Sequence, residues 1–409
     1  MNTLLLISAH FPPSPFVGGM RAAAFTRRLP RLGWHTCVVT LRMRPAQHGA
    51  ATPCTRARRI ERTWGANSRD VFAIAGRYPS FVALPDGYVS WLPFAVARSL
   101  RVIRQEKPAV LMTSGPPSTA HCIGLAIKRL TGLPWLADLR DPWQTTAGAS
   151  RLYAAVDARL ERLVMSAADR IVATTSSIAA DLCTRLGAGV ADKVDVIANG
   201  YDEELFAQCV ATPAVGRFTI AHIGSVTGYR DAGAFLSALR DCLAAATLPP
   251  DTQVIFLGGG DAAACAALQR ATDALQLASH VTFQPRCQPD EAVMAMQRAS
   301  ALLLLQCSPA AACCIPTKAF EYLRSGRPVL CLAPDGSEVR ELLSRFEAVF
   351  SAAPDNVPAI RAQLEAAYRS AQADGPVRRD VDAYSRQAAA VRLAALLDAL
   401  ASRCSGALR

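Results

Sequence analysis

No apolar run in the chain approaches the roughly 20 residues that a bilayer-spanning helix needs, which excludes a membrane-spanning helix. The N-terminus, MNTLLLISAHFPPSP, lacks a basic n-region, so it reads as a first buried strand and not as a signal peptide. The thirteen cysteines are odd in number and scattered, with no CxxC pair and no histidine at zinc spacing. Free thiols of a cytoplasmic protein are the expectation. Cys313-Cys314 is an adjacent pair, which by itself indicates neither redox nor metal chemistry. The GxGxxG fingerprint is absent, although Gly258-Gly259-Gly260 follows an apolar run. No acidic residue closes the second strand of that unit to hold a ribose, which leaves hydride transfer a minor alternative. Charged residues make up 19% and hydrophobic ones 51%, a globular balance.

At 409 residues the chain is too long for one ordinary core, and two domains are expected. The net charge of +11 is concentrated early. Arg42, Arg44, Arg56, Arg58, Arg59, Arg62 and Arg69 crowd one segment, and Arg98, Arg101, Arg104 and Lys107 recur at the spacing of one helix face. A solvated basic face accounts for this equally well as an anionic membrane surface or a polyanion. Nucleic acid is disfavoured, because few aromatics interleave the basic residues and no binding motif is present.

Apolar runs, loops and amphipathic stretches alternate as in a parallel sheet. Strands are expected at 2–9, 34–41, 109–113, 135–139, 170–174 and 194–197, with helices at 21–32, 90–106, 119–130, 151–168 and 176–186. After a Pro/Gly-containing connection at 211–217 the pattern restarts. Strands are expected at 218–223, 253–257, 281–283, 301–305 and 329–332, with helices at 232–246, 262–276, 289–299 and from 317. A long amphipathic helix, 382–401, closes the chain. Asp380-Val381-Asp382 spells DxD but leads into that helix, so it reads as a cap. In parallel sheets, ligands sit beyond the strands' carboxyl ends, near helix N-termini. That rule singles out Lys318 and Glu321, the Gly18-Gly19 pair, His121, and the three charges Asp138, Arg140 and Asp141. Each has an ordinary structural alternative: a turn, a packed histidine, an Arg–Asp pair, or a Lys318–Glu321 helix pair.

The ordered set TSGPPSTAH (113–121), WLADLRDPW (135–143), NGYD (199–202), HIGSVTGYRD (222–231) and IPTKAFEYLRSGRPVL (315–330) resembles bacterial GT-B glycosyltransferases of the family 4 type. The resemblance covers nearly the whole chain. It implies an α/β protein of two Rossmann-like domains facing across a cleft: 1–205 on the acceptor side, 206–381 holding a nucleotide sugar, and 382–401 crossing back to the first. It also implies a retaining, metal-independent transfer from a UDP- or GDP-linked sugar to a glycan or polyprenyl-linked acceptor, as in cell-surface polysaccharide synthesis. No separate cofactor is expected. Other readings are a non-catalytic glycan-binding GT-B partner and a sugar-nucleotide epimerase.

By similarity, Glu321 matches the second acid of the family's paired-glutamate motif and would bind the donor ribose. The position of the first acid is Cys313, so sugar recognition must differ. The basic pair on the diphosphate maps to Ser225 and Arg230. Only Arg230 is cationic, and Lys318 is expected to supply the missing charge. Gly224, Ile315, Pro316 and Thr317 complete the donor loops, with Arg286 near the base and Gly18 and Gly19 giving close backbone approach. His121 matches the family's cleft histidine and joins Arg230 and Lys318 as a catalytic candidate. Asp138, Arg140 and Asp141 are the acceptor-side candidates.

Overall fold

A computed structural model describes residues 1–14, 16, 18–42, 55–71, 84–143, 151–209, 211, 216–228, 230–372 and 375–406. Pro15 and Val17 of the first loop, residues 43–54 of the basic segment, 212–215 of the expected connection and Tyr229 lie outside the described residues. The chain forms two compact units, residues 1–198 with 387–409, and residues 199–386. The divisions thus fall at 198/199 and 386/387, where 205/206 and 381/382 had been expected.

The first unit is built on seven parallel strands: β1 (Asn2–Ser8), β2 (Trp34–Leu41), β3 (Arg59–Thr63), β4 (Val110–Gly115), β5 (Trp135–Leu139), β6 (Arg170–Ala173) and β7 (Val194–Val196). Their order is β3-β2-β1-β4-β5-β6-β7. Leu4 pairs with Val110 and Leu5 with Cys37, a register that sends alternate residues to opposite faces. Leu5, Ile7, Val39, Leu111 and Ala137 pack on one face with residues of the helices 92–106, 119–131 and 151–167. Leu4, Leu6, Val38, Val110 and Met112 pack on the other with helix 18–28 and the C-terminal helix 386–406. Both faces are covered, which explains why these strands read as continuous apolar runs.

The second unit has six parallel strands: β8 (Thr219–Ile223), β9 (Gln253–Leu257), β10 (Val281–Gln284), β11 (Ala301–Leu305), β12 (Val329–Leu332) and β13 (Val349–Ala352). Their order is β10-β9-β8-β11-β12-β13. The central strand β11 is buried throughout.

The expected elements are present with shifted ends, and the sequence reading lacked a few. The first helix runs from Gly18 to Arg28 and yields to a tight 3-10 turn at Leu29–Leu32, where Pro30 removes a backbone donor. β3, β13 and the helices 203–208 and 357–371 were not anticipated. The C-terminal helix begins at Arg386, because residues 382–384 form a separate 3-10 turn.

Candidate functional site

In the first unit, the loops leaving β1, β4 and β5 are tied together by buried charge. Asp138, at the end of β5, is fully buried. Arg21 donates to it through Nε and Nη2 at 3.2 and 3.0 Å, and Ser114 Oγ donates at 2.8 Å. Arg21 also donates to the carbonyls of Ile197 and Ala198. Asp138, an acceptor-side candidate by resemblance, thus anchors these loops. Its carboxylate is already occupied by protein donors.

Arg140 has a similar structural role. Its buried guanidinium donates to the carbonyls of Gly18, Gly115 and Pro116. Burial holds its pKa below the ordinary arginine value. A Cβ at Gly18 would lie 2.4 Å from Arg140 Nη1, so the guanidinium lies directly against this glycine. Gly19 starts the helix against the backbone of His10 and Phe11, with an added Cβ 3.1 Å from the His10 carbonyl. Asp141 is half-buried, and its charge, after that of Asp138, opposes the lowering of the Arg140 pKa.

His121 is the polar group these loops leave available. Thr113 Oγ1 accepts from Trp135 Nε1 at 2.9 Å and lies 2.8 Å from His121 Nδ1. Among the described residues the hydroxyl proton has one acceptor there, His121 Nδ1, which places the ring proton on Nε2. Nε2 is buried and has no hydrogen-bond partner among the described residues. Desolvation lowers the His121 pKa from 6.5 to about 4, with the nearby charge of Asp138 opposing and Arg140 assisting. The ring stays neutral near pH 7 and offers one N–H donor. Gly115 faces it, where a Cβ would sit 2.4 Å from Nε2.

In the second unit, the candidate donor residues gather at the carboxyl ends of β8, β10 and β11. Tyr322, on helix 317–325, accepts a 2.8 Å hydrogen bond from the Ile223 amide, which fixes the helix against the end of β8. Lys318 lies against Gly224, where an added Cβ would be 2.6 Å from Lys318 Cε. Burial is the main cause of a lowered Lys318 pKa. Glu321 opposes that shift, and Arg230 and Arg286 add to it. The structure thus brings Gly224, Arg230, Arg286, Lys318 and Glu321 together. Among the described residues neither Lys318 nor Glu321 has an ion-pair or hydrogen-bond partner, so the helix pair suggested by their spacing is not formed. Arg230 Nη1 donates to the Ser225 carbonyl at 2.8 Å, which shapes the loop after β8.

Ile315, Pro316 and Thr317 lead into helix 317–325, which has no side-chain N-cap. Gln306 Nε2 secures this lead-in by donating to the carbonyls of Ala311 and Cys314 at 2.6 and 2.8 Å. Cys313, where the resemblance called for an acid, is half-buried with its Sγ 3.8 Å from that of Cys314. Gly258, Gly259 and Gly260 have a packing role. The Val226 amide donates to the Gly259 carbonyl and the Asp261 amide to the Val226 carbonyl, zipping the β9 loop onto the β8 loop. A Cβ at Gly260 would lie 2.0 Å from the Val226 oxygen.

The sequence reading missed His222 and Arg21. His222 is buried within β8, and its Nδ1 is 2.9 Å from the Leu303 carbonyl. Nδ1 is therefore the donor, leaving Nε2 as a buried lone pair without a partner among the described residues. Desolvation first, then Lys318 and Arg230, lowers its pKa to about 3. The signal was available in the motif itself: His222 precedes Ile223-Gly224, and alternation along β8 puts it on the side opposite Ile223.

Residues 17–205 match the family described as Glycosyltransferase Family 4. No curated protein matches the sequence. Among solved structures, all of the chain aligns with sucrose-phosphate synthase of Thermosynechococcus elongatus, at 15% identity and a TM-score of 0.65, over 98% of that chain. It aligns over its full length with HepE of Anabaena in complex with UDP, at 14% identity and a TM-score of 0.63, over 99% of that chain. The α,α-trehalose 6-phosphate synthase of Burkholderia multivorans gives 13% identity and a TM-score of 0.63, with 100% of this chain and 99% of that one covered. At such identities the likeness is one of fold, and the fold is GT-B.

Proposed function

Residues 17–205 are those of a Glycosyltransferase Family 4 segment in a chain of GT-B fold, and on that premise we propose a glycosyltransferase that moves a sugar from a nucleotide-sugar donor. One observation carries the reading. Among the described residues Lys318 and Glu321 have no hydrogen-bond or ion-pair partner, and they stand beside Arg230, Arg286 and His222 at the strand ends of the second unit. Three cations with one carboxylate suit a ligand that combines a diphosphate with a diol. The structural similarity to a UDP complex of HepE supports the same ligand class.

Breaking the anomeric bond leaves negative charge on the departing diphosphate. Lys318, Arg230 and Arg286 stabilise that charge, and their positions are set before reaction. Glu321 accepts the two ribose hydroxyls. His222 Nε2 accepts a hydrogen bond from a hydroxyl or ammonium group beside them. On the first unit, neutral His121 presents Nε2–H to a sugar or acceptor oxygen. Its low pKa makes it a positioning donor near pH 7, since it holds no second proton to give. The transfer is read as retaining and independent of a metal ion, with charge neutralisation supplied by the three cations. The acceptor is a glycan or polyprenyl-linked saccharide of cell-surface polysaccharide synthesis.

Nucleotide release is the direct test, screened across UDP- and GDP-sugars with and without polyprenyl-linked acceptors. Acceptor-dependent release is expected. Glu321→Ala is expected to weaken donor binding about 10- to 100-fold, the range for losing hydrogen bonds to a charged group. Normal turnover in both Glu321→Ala and Arg230→Ala would remove the assignment. Turnover without acceptor would instead indicate a sugar-nucleotide epimerase, and glycan binding without nucleotide binding a non-catalytic partner.

A further inference from the structure

We propose that the outer surface of helices 92–106, 119–131 and 151–167 is a docking face for an anionic phospholipid bilayer. These helices lie on the same face of the first sheet and share its core. Their outward cations are Arg101, Arg104 and Lys107 on the first, Arg129 on the second, and Arg151, Arg159 and Arg162 on the third. All seven are exposed. None has an ion-pair partner among the described residues.

The acids of the same helices are sequestered. Asp157 and Glu161 are buried on the inward side, where Asp157 accepts from Trp143 and Glu161 pairs with Arg185. Glu106 is engaged by Arg58 and Arg59. Helix 119–131 contains no acid. A merely solvated surface has no need to segregate its charges in this way.

Large apolar side chains are interspersed with the cations. Leu152 is 76% exposed, and Val156 and Leu163 share its side of the helix at i, i+4 and i+11. Leu130 and Phe94 are exposed on the neighbouring helices. Trp64, 53% exposed, packs edge-on against Phe94 with ring centroids 5.0 Å apart. Cations whose stems flank exposed leucines, with an aromatic pair at the border, match the layered polarity of a headgroup region. A soluble polyanion would engage the cations but leave the apolar residues in water. The inference does not require the transferase reading, since vesicle binding is measured without donor or acceptor.

Trp64 supplies the readout, because the other four tryptophans are buried. The full chain is mixed with vesicles of phosphatidylcholine alone or with anionic phosphatidylglycerol. Binding to the anionic vesicles, with a blue shift of Trp64 emission that Trp64→Phe removes, is expected. R101Q/R104Q/R159Q/R162Q should lower partitioning at least 100-fold at physiological salt. L152S/V156S/L163S should abolish the binding that persists in high salt. Vesicle binding unchanged in both variants, absence of binding to anionic vesicles, or binding to polyphosphate matching that to vesicles without a Trp64 shift would each overturn the proposal.

Discussion

His121 and His222 are both buried and held neutral by desolvation, yet they present opposite chemistry. Thr113 fixes a donor at Nε2 of His121, and the Leu303 carbonyl fixes an acceptor at Nε2 of His222. Both pKa values lie below the ordinary 6.5 of an unfolded chain, at about 4 and about 3. Below pH 6.5 the unfolded state takes up protons that the native rings refuse, so stability falls as pH drops from 6.5 through the folded values. At pH 5 each ring should cost about 2 kcal/mol relative to pH 7.5. Thermal unfolding followed between pH 7.5 and 5 checks this, and His222→Asn should flatten the fall in the second unit. The same scale shows what sequence could not disclose. Asp138 looked like a ligand contact because it ends a strand beside two charges. Its actual partner, Arg21, is 117 residues away, and no local pattern links them. Glu321 and Lys318 were legible because a helix start after a buried strand limits where their side chains can lie.

At the scale of elements, the candidate donor site depends on how three loops are held. Gln306 fixes the lead-in to helix 317–325, Tyr322 pins that helix to β8, and the glycine loop after β9 is zipped to residues 224–226. Tyr322→Phe removes the acceptor of the buried Ile223 amide, a loss of about 1–3 kcal/mol. It should lower the unfolding midpoint of the second unit and weaken donor binding with it, as read by calorimetry. Gly260→Ala should weaken donor binding more than it lowers stability. The Val226 carbonyl must retreat from the new Cβ, which carries the loop of Ser225 with it. Elements with two covered faces were readable from sequence: β11 and β12 were located to the residue, since continuous apolar runs between breakers leave little choice. β3 and β13 were not. Both are edge strands, and β3 carries Arg59, Glu61 and Arg62, which is the composition that keeps an edge from pairing with strangers but hides it from a hydrophobicity pattern.

At the scale of the whole molecule, the C-terminal helix is a structural part of the first unit. Leu393, Leu397 and Leu400 are almost wholly buried among Leu4, Leu6 and Val38, and Trp34 Nε1 donates to Asp398 at 2.9 Å. Burying a leucine is worth about 2 kcal/mol, so these three supply about 6 kcal/mol. That is comparable to the whole net stability of many domains, roughly 5–15 kcal/mol. The residues that join the units are secured separately. Tyr201 bridges to Ser385, the Arg386 amide donates to the Tyr201 carbonyl, and Arg386 pairs with Asp202, all inside the second unit. Gly200 permits this contact, since a Cβ there would lie 2.1 Å from the Tyr384 oxygen. A chain ending at residue 386 should therefore lose the first unit and keep the second. All five tryptophans are in residues 1–198 and therefore report on the first unit alone. In the truncated chain the tryptophan emission should move to that of exposed indole at 25 °C. Far-UV circular dichroism should retain a cooperative transition from the second unit. Buried tryptophan emission in the truncated chain would show that the sheet can close its second face without the helix.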